Sequence, residues 1–554
     1  MLTLALVLFA DPLPVPADAL AVVQVRGLGH VRRQLVGLAT AVAPGKATEF
    51  TARLDDLLKP DGRELFALDV SRRSYFAILP AGTDVTWAVW LPTTDYARFR
   101  AEVLTADERA ALQPGLGYDT TAFAGRPLYL LDHTATGFVV ATPSEAVAKR
   151  LAGASRPLVI DAVGEASGVF LGSDLGLFVN LPAVQARYGG LLAGTRFALP
   201  TMLASGTFGL PKLDARQAGQ IATVADGVIQ SVADGSGFAV GVSVGPAGVT
   251  VDSALAVRPG TASAKVLAGE RPHPMPLLDA MPGGQSAYAA GRFGAELAKR
   301  FRVAFPEVVG AENGAAYAEH GWATAGADPG PVLEVCRPLD PNQWRAALRA
   351  AYERAGPGTA VQNVPLKERP ALVRQAVEHR GRAFDRLALT FDLPSATAAI
   401  ADDGIRQAAH VTMKSLVGER SEQWLTADAA HGLRLTAADW PAACGLMDTF
   451  LGDGAKACDD AAVTAIRRRL PAEASAVVLL DAAAFTCKVG ELARGAVEEL
   501  PAFPGLELPA FVPHARRSPF LGMAVVTHPT GGRAILVLPA EAIKASAAAV
   551  RIDP

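Results

Sequence analysis

The sequence predicts an α+β protein of two related lobes, each an antiparallel sheet with helices packed mainly on one face. Three observations predict it. One strand-to-helix junction occurs twice, hairpins are mixed with single helices, and a Pro/Gly-rich stretch lies near the middle of the 554 residues. Short hairpins among single helices favour antiparallel pairing over regular βαβ winding. A chain of this length exceeds one core. The expected organisation is a leader over 1–17, a first lobe over 18–265, a linker over 266–284 and a second lobe over 285–554.

The repeated junction is the strongest local signal. In residues 87–104 (WAVWLPTTDYARFRAEVL) a strand stops at Pro92, Asp95 is placed to cap, and Phe99 and Val103 share a helix face. In residues 333–348 (LEVCRPLDPNQWRAAL) Pro338 stops the strand, Asp340 caps, and Trp344 and Leu348 take the apolar positions. The Asp carboxylate accepts the orphan amides of the first turn. Pro341 suits the first helical position, and Gln343 stands at capping-box spacing. The aromatic and the following aliphatic fall on one face because they are four residues apart.

The chain begins with LTLALVLFA over residues 2–10, a short apolar run ending in a small residue. It has the form of a secretory h-region and cleavage site, although no Lys or Arg precedes Arg26. Export to the periplasm or outside the cell is expected, with cleavage near Ala10 or Ala17. Residues 19–25 then read as a strand, which Gly27, Leu28 and Gly29 turn into a helix. Further strand-corner-helix passages lie at 177–188, 286–301 and 476–492. Each begins with an apolar run and continues with helical periodicity.

Hairpins are read at 127–141 and 523–538, each followed by a helix starting Pro-x-Glu-Ala, with Pro in the first turn and an acid near the positive helix end. A third, FAVGVSV and GVTVDSALAV within residues 237–257, alternates as a half-buried strand pair does. The interleaved charges of residues 367–386 read as a solvated helix face.

Composition excludes several classes. Half the residues are hydrophobic and 19% are charged, but no internal run of about 18 apolar residues forms a span. No integral membrane segment is expected beyond the leader. A net charge of −3 leaves no basic footprint for nucleic acid. The four cysteines make no CxxC or Cys/His ligand spacing, so neither zinc nor any other cofactor is expected. Cys444 and Cys458 fall in two expected helices joined through Gly452 and Gly454. They are either a disulfide, contributing about 3 kcal/mol in an exported protein, or two separate thiols. Cys336 and Cys487 read as packing residues.

Gly241, Ser243 and Gly245 match G-x-S-x-G, but the nucleophile elbow needs a strand, a turn and a helix, whereas here a strand meets another strand. Gly27 and Gly29 begin a dinucleotide-like fingerprint whose third Gly is Arg32. The nine histidines are scattered. Polar residues end three strands, Gln24, Asn180 and Asp481, and either line a shared groove or bond turn amides.

Residues 177–184 (LFVNLPAV), 91–99 (LPTTDYARF) and 238–250 make the chain resemble a group of uncharacterised exported bacterial proteins of a domain-of-unknown-function type. The resemblance implies an exported, internally duplicated α+β protein and brings no catalytic residues. The leading expectation is therefore a non-catalytic binding or structural protein of the cell envelope with a protein or envelope partner. The alternatives are a carrier of an apolar ligand and a hydrolase with a dispersed active site.

Overall fold

The computed structural model describes residues 13–58, 67–153, 156–158, 160, 164–205, 215–304, 322–326, 330–338, 340–361, 364–398, 400, 402–498, 509–511 and 517–551. Helices and antiparallel strands are both abundant, which is the α+β class. The chain divides into two compact units. The first comprises residues 1–190, 231–261 and 530–535, and the second 191–230, 262–529 and 536–554.

The first unit holds strands β1 (Leu13–Pro16), β2 (Ala21–Val25), β3 (Ser74–Ala81), β4 (Asp84–Pro92), β5 (Gln113–Pro114), β6 (Asp119–Phe123), β7 (Arg126–His133), β8 (Phe138–Thr142), β9 (Pro157–Leu158), β10 (Leu175–Val179), β11 (Gly235–Gly245) and β12 (Gly248–Val257). All but β1 and β9, which pair with each other, join one antiparallel sheet in the order β12-β11-β10-β2-β3-β4-β8-β7-β6-β5. Alternation along β3 sends Tyr75, Ala77 and Leu79 into the core, where Val22, Trp90, Val140, Phe170 and Phe178 join them. β8 is buried at all five positions, so both of its faces are covered: Val140 faces that core, and Val139 packs with Phe99 of helix Tyr96–Val103. Residues 1–12 of the expected leader lie outside the described residues. Leu13 and Val15, near its end, are buried in the core of this unit.

Helix Glu165–Gly172 lies against β10, β11 and β12 and approaches closely, because small residues face it. A Cβ on Gly176 would stand 2.7 Å from the Phe170 carbonyl oxygen. One on Gly241 would overlap Ser173 Oγ and stand 2.9 Å from Val169 O. The glycine of the G-x-S-x-G string is therefore a seat for a helix.

The second unit holds β13 (Ala287–Gly291), β14 (Trp322–Gly326), β15 (Val332–Cys336), β16 (Ala360–Val361), β17 (Val364–Pro365), β18 (Ala371–His379), β19 (Arg382–Thr390), β20 (Arg420–Ala427), β21 (Gly432–Ala437), β22 (Ala476–Asp481), β23 (Ala510–Phe511) and β24 (Phe520–His528). Nine of them pair antiparallel in the order β24-β22-β13-β14-β15-β21-β20-β19-β18. Helix Pro341–Arg354 buries Trp344, Leu348 and Tyr352 against Leu387, Leu389 and Leu425. Gly432 makes room for the indole: a Cβ there would stand 2.5 Å from Trp344 Cε3.

One expectation changes here. The charged stretch 367–386 is not a helix face but most of the β18–β19 hairpin. Arg380 and Gly381, both at positive φ, make its turn, and the buried carboxylate of Asp385 supports the bulge opposite. The stretch 266–284, expected as a linker, carries helix Pro276–Ala280 and buries Leu277, Leu278 and Met281. Its prolines and glycines make turns, while its apolar side chains join the packing.

Candidate functional site

The expected site residues are used in supporting the fold. Asp95 accepts the Arg98 amide at 2.9 Å, and Asp340 accepts those of Asn342 and Gln343 at 2.9 and 3.1 Å. The three polar corners are spent on backbone or on a neighbouring loop. Buried Gln24 donates to the carbonyls of Phe170 and Ser173. Asn180 donates to Ala17 O at 3.0 Å, and Asp481 accepts the amides of Ala484 and Ser518 at 3.0 and 2.9 Å. Ser243 lies within β11 opposite Thr250, with no helix after it.

Cys444 and Cys458 are separate thiols, so the Cys444–Cys458 disulfide is not formed in this structure. Cys444 lies on helix Trp440–Leu451, with its sulfur toward His379. Cys458 is not on a matching antiparallel helix but in the short turn Ala457–Asp459, where its thiol faces Asp459. Cys336 and Cys487 are buried packing residues.

What the sequence did not single out is a cleft in the first unit, a cavity of about 370 Å³ lined by Arg26, Ser71, Arg72, Arg73, Tyr75 and Phe138. Three elements build it. β2 leads into Arg26 and the chain turns sharply at Gly27, where the φ of +133° and the 2.8 Å at which a Cβ would stand from Ser71 O both require glycine. The loop before β3 supplies Ser71, Arg72 and Arg73, and β3 supplies Tyr75. Phe138 opens β8.

The three guanidiniums are held differently. Arg72 lies over the Phe138 ring, 5.1 Å from its centroid, and reaches the carbonyls of Gly137 and Thr136 at 3.4 and 3.5 Å. Arg73 donates through Nη2 to Leu171 O at 2.8 Å, while its Nε is buried with no hydrogen-bond partner. Arg26 is half-exposed, 3.9 Å from Asp174. The Asp174 carboxylate is engaged by His30 Nε2 at 2.8 Å and by the Val244 amide at 2.8 Å. Burial raises the Tyr75 phenol above its usual range, so it stays a neutral hydroxyl. Ser71 is turned toward Asp69. The cleft thus combines three guanidiniums with an aromatic wall, while the unpaired Arg73 Nε has no open surface.

A second cavity of the same unit, about 420 Å³, is lined by Glu165, Ser173, Ser243, Thr250, Asp252 and Arg533 among others. Its cation is already used: Arg533 Nε meets Asp252 at 2.9 Å, and that carboxylate raises the guanidinium further above its usual value. Among the described residues no group of three or more His, Cys, Asp or Glu could hold a metal ion, and no helix is long and apolar enough to cross a membrane.

The adjacent arginines of the string SRRS were the only local cue to the first cleft. Arg26 is 46 positions away from Arg72 in the chain and joins them through the β2–β3 pairing. No family model, curated protein or solved structure matches this chain.

Proposed function

We propose that this chain is an exported binding protein of the cell envelope, and that the cleft of Arg26, Arg72 and Arg73 takes the anionic group of its ligand, a phosphate or a carboxylate. The observation that carries this reading is the convergence of three guanidiniums on one cleft beside the Phe138 ring. The planar fork of arginine suits the oxygens of carboxylate and phosphate. The cleft holds rather than transforms: Ser71 is engaged by Asp69, and Tyr75 is a neutral donor. The mainly polar lining favours an anion over an apolar ligand.

The same reading takes the protein as two related lobes with helices mainly on one face of each sheet. Its support is the strand order. β11-β10-β2-β3-β4-β8-β7-β6-β5 and β24-β22-β13-β14-β15-β21-β20-β19-β18 use their strands in the same chain sequence. The Asp-capped helices follow β4 and β15, equivalent positions in that order. Export is supported by the leader-like start, with processing ahead of Leu13, since Leu13 and Val15 are core side chains.

Calorimetric titration with inorganic phosphate and with succinate at low salt tests the binding. Saturable binding is expected, weakened roughly 10- to 100-fold by Arg72→Ala or Arg73→Met, the worth of one charge-assisted hydrogen bond. Absence of binding to both anions, or equal binding by folded variants, would refute it. Recovery of unprocessed chain only from the cytosol would remove the exported reading.

A further inference from the structure

In the second unit three side chains that the sequence keeps far apart form a chain of contacts. His379 ends β18, and Cys444 and Asp448 lie one turn apart on helix Trp440–Leu451. His379 Nε2 is 2.7 Å from Asp448 Oδ1, and Nδ1 is 3.8 Å from Cys444 Sγ. Because a carboxylate only accepts, the shared proton sits on Nε2. In the tautomer that this contact selects, the Nδ1 lone pair faces the thiol. The edge-on Trp440 ring, 5.9 Å away, braces the imidazole, and Arg380 Nε holds Asp448 Oδ1 at 2.6 Å.

We propose that Cys444 is a nucleophilic thiol with His379 as its general base and Asp448 as the positioning residue, and that the site accepts acyl groups from small activated esters or thioesters. This is the arrangement a thiol nucleophile requires: a base in contact, and a third group fixing the base. Cys444 and His379 are partly exposed, and the neighbouring exposed Gly445 has no side chain to cover the sulfur. In the first step Sγ attacks the acyl carbon while its proton passes to Nδ1. The leaving alkoxide or thiolate then takes that proton, leaving an S-acyl cysteine. Water, deprotonated by the same nitrogen, attacks the S-acyl carbon, releases the carboxylic acid and returns the proton to sulfur. Burial first, and then the Asp448 charge, raise the Cys444 thiol above its usual range, so the thiol is protonated at rest and the base is needed. Among the described residues, His379 pairs with Asp448, and Arg380 pairs with the same carboxylate. The inference stands apart from the arginine cleft and can fail without it.

The test is acylation of the full chain by p-nitrophenyl acetate, followed as nitrophenolate release and as acetyl mass on each cysteine peptide. The exposed Cys458 is the internal reference. Cys444 is expected to react at least 100-fold faster than Cys458, the low end of general-base assistance. His379→Gln should bring it to the reference rate, and Asp448→Asn should lower it about tenfold and move the pH profile. Cys444→Ser should abolish the fast phase. Wild-type Cys444 reacting no faster than Cys458, or a rate that simply follows thiol ionisation above pH 9, would overturn the proposal without any variant having to fold.

Discussion

Replacing Asp385 with Asn should destabilise the second unit by about 3 kcal/mol, and with Ala by about 3–5 kcal/mol. The side chain is fully buried on β19. It accepts Arg345 Nε at 2.8 Å, both Nε and Nη2 of Arg349, the latter at 2.6 Å, and the Gln375 amide at 3.0 Å. Gln375 has a φ of +49° in the β18 bulge, so the carboxylate also secures a strained turn of backbone. Without it two guanidiniums, 13% and 22% exposed, lose their counter-charge. Their remaining contact with water keeps the Asn variant at the low end of the range. Burial pushes the Asp385 carboxyl up, but the hydrogen bonds from Arg349, Arg345 and Gln375 outweigh it, and the group titrates below the usual carboxylate range. Its stabilisation is therefore present above the unfolded value of about 3.9 and is lost as pH falls through the lower folded value. Urea unfolding, with hydrogen exchange of the β18–β19 peptides identifying the unit, measures both effects. A loss under about 1 kcal/mol at pH 7, or a wild-type-to-Asn difference unchanged down to pH 2, would refute the reasoning.

Asp95→Ala and Asp340→Ala should each cost about 1 kcal/mol by chemical denaturation, the worth of an N-cap. Gly241→Ala should cost about 1–3 kcal/mol, because its Cβ would meet Ser173 and the Val169 carbonyl. Ser243→Ala, on the same strand, should stay within about 0.5 kcal/mol and leave any esterase activity unchanged, which separates a packing motif from a nucleophile.

What the sequence revealed was local. Asp340, Pro341 and Trp344 announce a capped amphipathic helix because cap, first turn and buried face lie within five residues. The alternation around Pro246, Ala247 and Gly248 likewise announces the β11–β12 hairpin. The β18–β19 hairpin was hidden because its solvated face carries so many charges that the pattern resembles a helix, and because buried Asp385 looks like one more surface acid. The sheet order was hidden for a different reason. β2 pairs with β3 and β10, and β13 with β14 and β22, across separations that no local propensity encodes. The same separation conceals both sites. Arg26 meets Arg73 through strand pairing, and His379 meets Cys444 through packing 65 residues away.

The arginine cleft is tested most directly by the Nε–Hε resonance of Arg73 in a proton–nitrogen correlation spectrum during titration with inorganic phosphate. Binding should shift that resonance at saturation, together with those of Arg26 and Arg72. An Arg73 signal unmoved at millimolar phosphate while exposed arginines shift equally would contradict an anion site in the cleft and leave the three guanidiniums as supports of the loop before β3.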